Sequence, residues 1–502
     1  MKKKLISLIL AILSVLAVAA GCADKAEKPD KSHNSSSKST DTANAYDPGL
    51  PDDFSCNGYD FVILNSNQNE IAGILNDIFI EYSDDLDSLS EAMYKRNRYV
   101  EETYAAKLSE LTDASGVIIS KVNDSFMSGT DDYSLVNVIG NLVYTMANDG
   151  LLYNLNRLDH VDLTKPWWTK GSIEGYSMNG LLYYAASDLT ICDDEGTAVV
   201  MYNKTVAADH KLETPDEMYD LVAAGGWTWE KMFASAKKVG EGGDNGDSQL
   251  NDGDRFGIIA MDWSYIGMMI SAGERFSVKD EDDFLHINFD SKSFVDTLDT
   301  LVRYTKQKRT FLCPVYDGKF SEDAFRNDNA LMIIQVTAHI RNSRGMESDF
   351  AVLPMPKYKE SQEFYHSYCP RVTYVGVPST VTETGYVGGI LEALTAKSGE
   401  IVIPEYLNVA LSERFMRDEG SKRMVQYIFG HTVYDPLVSS LCWDTVFGAF
   451  SSMVKSRSNM VVNVYNKYGS YINEQIEKSA DCYRKLAAKV TETYGVKLGA
   501  VE

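Results

Sequence analysis

Apolar and polar positions along the chain switch between two periods. Tyr59-Asp60-Phe61-Val62-Ile63-Leu64 is a short, nearly continuous apolar run and predicts a buried first strand. Leu89, Met93, Val100, Tyr104, Leu108 and Leu111 then recur at helical spacing, with Lys, Arg and Glu opposite them, and predict one amphipathic helix. Ser134 to Ile139 reads as the next strand, and Leu142 to Met146 opens another helix. Strands that alternate with helices imply βαβ units, an α/β fold and a mainly parallel sheet.

The pattern continues downstream. Thr197 to Tyr202 is rich in strand formers. Thr214-Pro215-Asp216-Glu217 is a capping box with proline at the first helical position, so a helix starts there. Phe256 to Ala260, Ala330 to Val336 and Phe350 to Pro354 predict strands, and Phe294 to Thr305 an amphipathic helix. Between about Met460 and Tyr494, the residues Tyr465, Tyr468, Ile472, Ile476, Tyr483, Ala487 and Val490 share one helical face. No internal repeat is visible.

The first residues change the picture from fold to location. Lys2, Lys3 and Lys4 precede a short apolar stretch, Leu5 to Val18, which is too short and wrongly flanked for a membrane span. Ala19-Ala20-Gly21-Cys22 resembles the bacterial lipobox, with small residues before a cut and a thiol after it. Residues 1–21 are therefore expected to be a lipoprotein signal peptide, with Cys22 as the lipidated residue. Multiple acyl chains anchor stably, since each buried methylene adds about 0.8 kcal/mol. Residues 22–53 contain the run Lys31-Ser32-His33-Asn34-Ser35-Ser36-Ser37-Lys38-Ser39-Thr40 and have almost nothing to bury, so a disordered tether is expected.

The net charge of −24 includes Lys2, Lys3 and Lys4; without those three it is −27. Such a surface repels nucleic acid and anionic lipid, leaving membrane residence to the anchor. The roughly 450 remaining residues exceed one core and predict two or more lobes. Besides Cys22 there are Cys56, Cys192, Cys313, Cys369, Cys442 and Cys482, without CxxC spacing. Their even number permits three disulfides, and a large domain equally accommodates free buried thiols.

Several blocks resemble one family. They are Asp162-Leu163-Thr164-Lys165-Pro166-Trp167-Trp168, Leu182 to Asp188, Met201-Tyr202-Asn203-Lys204, Tyr219 to Val222 with Gly226-Trp227-Thr228-Trp229, and Phe350 to Tyr358. In this order they resemble the sugar-binding group of extracellular solute-binding proteins of bacterial ABC importers. The resemblance implies a two-lobed periplasmic-binding-protein-like fold of type II, with a hinge that crosses more than once and a ligand cleft between the lobes. The expected division is 54–190 plus 295–350 for lobe one, and 191–294 plus 351–502 for lobe two and the C-terminal helices. It further implies a non-enzymatic monomer without cofactor, whose partners are an oligosaccharide and ABC permease subunits. Membrane contact would run through the lipid alone, at the extracytoplasmic face.

Sugar binding needs flat rings for the apolar pyranose face and polar groups for paired hydroxyls. In such folds ligands sit beyond the carboxyl ends of parallel strands. Asn65, Asn67 and Gln68 follow the first strand, where turn-making is their competing role. Trp263 and Tyr265 follow the Phe256 strand and form the expected stacking pair. Asp188 stands at the expected crossover, and Gln335 and Thr337 end another strand; Arg371, Tyr374 and Trp443 complete the set. Trp167, Trp168, Trp227 and Trp229 read as packing residues. Asp244, Asp247 and Asp252 resemble the family's calcium loop, but Gly243 stands at its first acidic position and Ser248 at its glycine, so a solvated acidic turn competes with calcium.

Three rival readings remain open at this level. A secreted glycoside hydrolase needs two carboxylates at a defined separation; no block points to a pair, and HExxH, GxSxG and P-loop motifs are absent. A lipid-anchored binder of a non-sugar ligand such as a peptide, and an adhesin without a transporter, are the others.

Overall fold

Two mixed sheets carry nine of the thirteen described strands, and the other four form two separate two-stranded pairs. The computed structural model describes residues 45–67, 74–241, 246, 250–251, 253–317, 323–343, 345–370, 372–412 and 419–494. The expected signal peptide, Cys22 and most of the expected tether lie outside these residues, as do Gln68, Arg371, Asp244, Asp247 and Asp252. No described helix is long and apolar enough to cross a membrane.

In chain order the strands are β1 (Asp60–Ser66), β2 (Lys107–Asp113), β3 (Leu135–Ile139), β4 (Ala198–Asn203), β5 (Phe256–Ile259), β6 (Ser277–Lys279), β7 (Leu285–Ile287), β8 (Phe311–Leu312), β9 (Ala330–Val336), β10 (Phe350–Leu353), β11 (Ser367–Tyr368), β12 (Thr373–Gly376) and β13 (Thr432–Val433). The first sheet runs β12-β3-β1-β2, with β1 parallel to β2 and β3, and β12 antiparallel to β3. The second runs β10-β4-β9-β5-β8; β5 is parallel to β9 and β8, while β4 is antiparallel to both β9 and β10. The sheets are thus mixed rather than mainly parallel. The antiparallel strands are those that arrive after the chain has crossed between sheets, where no right-handed βαβ connection sets the direction.

Local sequence explains most elements. Phe61, Ile63 and Leu64 of β1 are fully buried, as the apolar run requires. Thr214 caps helix Pro215–Ala223 with the reciprocal Glu217 bond of a capping box. The expected helix through Leu111 instead ends at Tyr104, because Ala105 adopts a left-handed conformation with φ 51°. Leu108 and Leu111 then lie on strand β2, with Leu108 inward and Leu111 46% exposed.

The division of the chain also differs from expectation. Segments 54–190 and 191–294 do supply β1–β3 and β4–β5 respectively. However, β8 and β9, from 295–350, join the second sheet, and β12, from 351–502, returns to the first, while β10 stays in the second as expected. Ala330 to Val336 is an apolar run that either sheet could bury; its partners β4 and β5 are chosen by long-range register, which no local pattern records. The chain passes from the first sheet to the second between β3 and β4, near residues 186–197, and back before β12, near 368–373. It passes to the second again between helix Thr384–Lys397, which packs on helix Ser88–Tyr104, and helix Glu419–Phe429, which packs on β10. The terminal helix Val461–Tyr494 touches both lobes, through Phe289 against Tyr465 and Tyr183 against Tyr483.

Buried polar groups fix these crossings. Arg96 is fully buried and donates to Leu189 O and Ser398 Oγ, each at 2.9 Å, joining helix Ser88–Tyr104 to the first crossing. Where β3 ends, a Cβ on Gly140 would lie 2.2 Å from Ser439 O and 3.0 Å from the Tyr374 ring. Gly140→Ala should therefore destabilise by about 2 kcal/mol, since backbone on one side and packed aromatic on the other leave no relief. Chemical denaturation checks this, and an unchanged midpoint would show that the 439 segment moves freely.

Candidate functional site

The carboxyl ends of β5, β8 and β9 lie side by side in the second sheet, and each delivers polar or aromatic side chains. β5 runs into Met261, Asp262 and Trp263 before helix Ser264–Ser271. β8 runs into Cys313 and then Tyr316, which is half-buried and hydrogen-bonded to Ser451. Gln335, half-buried, is the penultimate residue of β9, and its Nε2 lies 3.3 Å from Met261 Sδ.

A fourth element reaches this edge from the far part of the chain. Asp435 is buried and accepts from Phe276 N (2.6 Å), Ser277 N (3.0 Å), Ser277 Oγ (2.7 Å) and Leu437 N (3.1 Å). Those bonds hold the short helix Pro436–Ser439, which leads into helix Trp443–Ser456. Tyr176 Oη donates to Ser439 Oγ at 2.8 Å and meets Tyr374 Oη at 2.6 Å, so the same segment is pinned to the first lobe. Trp443 consequently starts its helix between the end of β3 and the second sheet.

The rings there form a continuous group. Trp263 lies 6.1 Å from Tyr368, centroid to centroid. Tyr368 is fully buried, donates to Val438 O at 2.7 Å, and has the Trp443 indole as a hydrogen-bonding neighbour. Trp443 stacks on Phe447 at 4.8 Å with 19° between planes, and both rings are half-buried. Asp262 is half-buried beside them. Burial raises its pKa against the opposing pull of its own and the Trp263 backbone N–H, and no described lysine or arginine pairs with it. Neutral polyols suit this mixture of ring faces and a carboxylate without a cationic partner.

The expected site residues thus divide. Gln335 and Trp263 lie at these strand ends, and Trp443 joins Trp263 through Tyr368, but Trp263 is only 8% exposed. Tyr265 does not join them: it is fully buried, bonded to Thr305, and packs toward Phe311. Two residues into a helix, it has turned to the core face, so the expected Trp263–Tyr265 stacking pair is not formed. Tyr374 is likewise a core residue, 1% exposed in a cluster with Tyr176, Tyr184 and Tyr434.

Asn65 is 1% exposed, and its side chain is consumed by Asn76 O (2.8 Å), Glu110 Oε1 (2.9 Å) and the Asn137 amide (2.8 Å). Asn67 is half-buried at the end of β1, its N–H donating to Asp113 O at 2.9 Å. Thr337 is 3% exposed and donates to Asp194 O. Asp188 sits at the first crossing, where a Cβ on Gly399 would fall 2.7 Å from its Oδ2 and 2.9 Å from Tyr46. Burial, then Asp193, raises the Asp188 pKa well above the usual carboxylate range.

Three members of the edge, Asp262, Tyr316 and Phe447, escaped the sequence reading. Asp262 carried a signal, since it directly precedes Trp263 at the strand end; Tyr316 lies four residues past a two-residue strand and carried none. Trp167, Trp168, Trp227 and Trp229 are buried packing residues. Two open cavities of about 460 Å³ lie elsewhere, one lined by Tyr59, Asp131 and Tyr386 and one by Glu274, Thr297 and Gln362. Neither includes a residue of the edge, and the convergence of strand ends is the stronger indicator. Among the described residues no group of three or more His, Cys, Asp or Glu side chains could hold a metal ion.

Comparison with known proteins places these features. The profile of a family described as bacterial extracellular solute-binding protein matches residues 98–382. A cyclo/maltodextrin-binding protein solved with maltotetraose is 13% identical, with TM-score 0.55 over 83% of this chain and 97% of that one. A sugar transporter from Rhizobium etli, in an open conformation, is 12% identical, with TM-score 0.55 over 84% and 99%. UgpB from Mycobacterium tuberculosis, in complex with glycerophosphocholine, is 14% identical, with TM-score 0.52 over 84% and 99%. At such identities the likeness is one of fold: two lobes of mixed α/β structure. No curated protein matches the sequence.

Proposed function

We propose that this chain, which belongs to the bacterial extracellular solute-binding proteins, captures an oligosaccharide between its lobes and delivers it to an ABC importer. The observation that carries the reading is that β5, β8 and β9 end side by side, with Asp262 and Trp263 just past β5, Gln335 on β9, and Trp443 and Phe447 linked to Trp263 through Tyr368. The half-buried Trp443 indole supplies a face for stacking, and the half-buried Asp262 carboxylate with the Gln335 amide supplies acceptors and donors for adjacent hydroxyls. Asn67, on the first lobe, would contribute when the lobes close, as in hinge closure around a ligand. Two of the similar folds carry sugar-related descriptions, which supports a carbohydrate, while the glycerophosphocholine complex keeps a non-sugar ligand as an outcome to be tested. Cys22 would anchor the chain through lipid at the outer face of the cell membrane, with 22–53 as tether, and the protein would act as a monomer without catalysis.

A thermal-shift screen of the mature, unlipidated chain against oligosaccharides, with peptides as comparators, tests this. A ligand at about one hundred times its dissociation constant stabilises by about 2.7 kcal/mol. Shift with an intact glycan supports the reading; shift followed by cleavage sinks it in favour of a hydrolase; shift with peptides alone discards the carbohydrate. With the ligand in hand, Trp443→Ala and Asp262→Ala should each weaken binding by about 30-fold, the scale of a stacking or charged hydrogen-bonding hot spot. Tyr265→Phe, in the core, should leave titration calorimetry unchanged. Equal losses in all three would mean that the edge is structural.

A further inference from the structure

Two of the crossings between lobes, before β4 and before β12, run against each other, and each carries one cysteine. Cys192 opens the short helix Cys192–Glu195 of the first crossing, and Cys369 follows β11 in the second. They are 0% and 1% exposed. Each thiol bonds to backbone near its counterpart: Cys369 Sγ donates to Asp193 O at 3.5 Å, and Thr373 N–H donates to Cys192 Sγ at 3.4 Å. Between them stands Gly196, where a Cβ would lie 3.0 Å from Cys192 O, 3.1 Å from Cys369 Sγ and 2.4 Å from Val372 Cγ1. Glycine is what lets the two crossings touch. The remaining described cysteines are placed differently: Cys56 precedes β1, Cys313 follows β8, Cys442 precedes Trp443, and Cys482 on the terminal helix donates to Asn148 O at 2.8 Å.

We propose that Cys192 and Cys369 are a disulfide-forming pair that latches the two interlobe crossings together when the surroundings are oxidising. Both are free thiols in the structure described here. The oxidant is a low-molecular-weight disulfide. One cysteine thiolate attacks a sulfur of that disulfide, breaking its S–S bond and releasing one small thiolate. The second cysteine then attacks the protein sulfur of the mixed disulfide and releases the other. Two protein thiols are oxidised, one small disulfide is reduced to two small thiols, and those take up the two protons.

Reaction needs a thiolate. Burial pushes the Cys192 thiol up to about 12, and burial followed by the neighbouring Asp193 and Cys192 holds Cys369 well above its ordinary value. Both stay protonated while the crossings are packed, so oxidation proceeds when the hinge loosens. The bond then removes relative motion of two segments that closure must bend.

The test treats the reduced, mature chain with oxidised glutathione and maps peptides without reduction. A peptide joining Cys192 to Cys369, with an intact mass lower by two hydrogens, is expected. Cys192→Ser and Cys369→Ser should each lose that link, while Cys442→Ser and Cys482→Ser keep it. Hydrogen exchange of residues 186–197 and 367–376 should slow about tenfold in the oxidised form. Alkylation of Cys56, Cys192, Cys313, Cys369, Cys442 and Cys482 alike in denaturant after oxidation, or a link joining any other pair, would overturn the pairing. A Cys192–Cys369 link with unchanged exchange would overturn the latch. The wild-type mass decides the pairing even if a serine variant fails to fold.

Discussion

Arg457→Ala is expected to destabilise the protein by about 3–5 kcal/mol, the range for removing one partner of a buried ion pair. The Arg457 side chain is 10% exposed and Asp317 2%. Its guanidinium donates to Thr305 O (3.0 Å), Phe311 O (3.1 Å) and Asp317 Oδ1 (3.0 Å), and also to Oδ2. One side chain therefore ties the end of helix Trp443–Ser456 to helix Lys292–Tyr304 and strand β8. Burial alone would raise the Asp317 pKa, but the Arg457 bonds and the Cys313 N–H, with Lys308, outweigh it and hold the carboxyl below its usual range.

A depressed carboxylate contributes stability above its unfolded value, and that contribution disappears as pH falls through its folded value. In the variant, Asp317 keeps Lys308 at 3.1 Å, a partner that is 52% exposed and a weak substitute. Urea denaturation at neutral and acid pH checks both parts. The gap between wild type and variant should be largest near neutrality and narrow in acid. A gap below about 1 kcal/mol at neutral pH would mean that water replaces the guanidinium. Because Asp317 follows β8 and sits next to Tyr316, the variant should also loosen the ligand edge, so binding is measured only where it remains folded.

How far the sequence reached depends on whether the decisive contact was local. Phe61 to Leu64, Ala330 to Val336 and the Thr214–Glu217 box were legible because apolar runs and caps act within a few residues. Strand β2 was not, since Leu108 and Leu111 prolong the helical stripe begun at Leu89. The break is a left-handed alanine at 105, and alanine carries no turn chemistry. Sheet membership of β9 and β12 depends on pairing across more than a hundred residues, which a run of Ile and Val does not encode.

The site shows the same split. Trp263 and Gln335 followed from strand-end logic, and Trp443 reached the same edge through Asp435 and Ser439. Asn65 failed the same logic because the last residues of β1 are still in register with β2 and β3 and feed a buried amide network. Position at a strand end therefore needs a second condition, that the side chain stay partly exposed; half-buried Asp262 meets it and Asn65, 1% exposed, does not.

Glu392 yields the other large expectation, with the opposite sign from Asp317. It is fully buried on helix Thr384–Lys397, accepting Trp167 Nε1 at Oε1 and Trp168 Nε1 at Oε2, each at 3.0 Å. Burial raises its pKa to about 7, against the pull of the two indoles toward the ionised form. The folded state therefore holds a proton that the unfolded chain has already released. Stability should fall as pH rises from the unfolded value through the folded one, by about 3 kcal/mol at 1.36 kcal/mol per unit, and stay level above. In Glu392→Gln nothing ionises, but one indole faces an amide NH₂ instead of an oxygen, and an orphaned buried donor costs about 1–3 kcal/mol. The variant should be clearly less stable than wild type near pH 5 and close to it near pH 8. Denaturant titrations across that interval read the difference directly. A wild-type-minus-variant difference that stays flat would show that Glu392 is already ionised in the fold, with the Trp167 and Trp168 pair strong enough to overcome its burial.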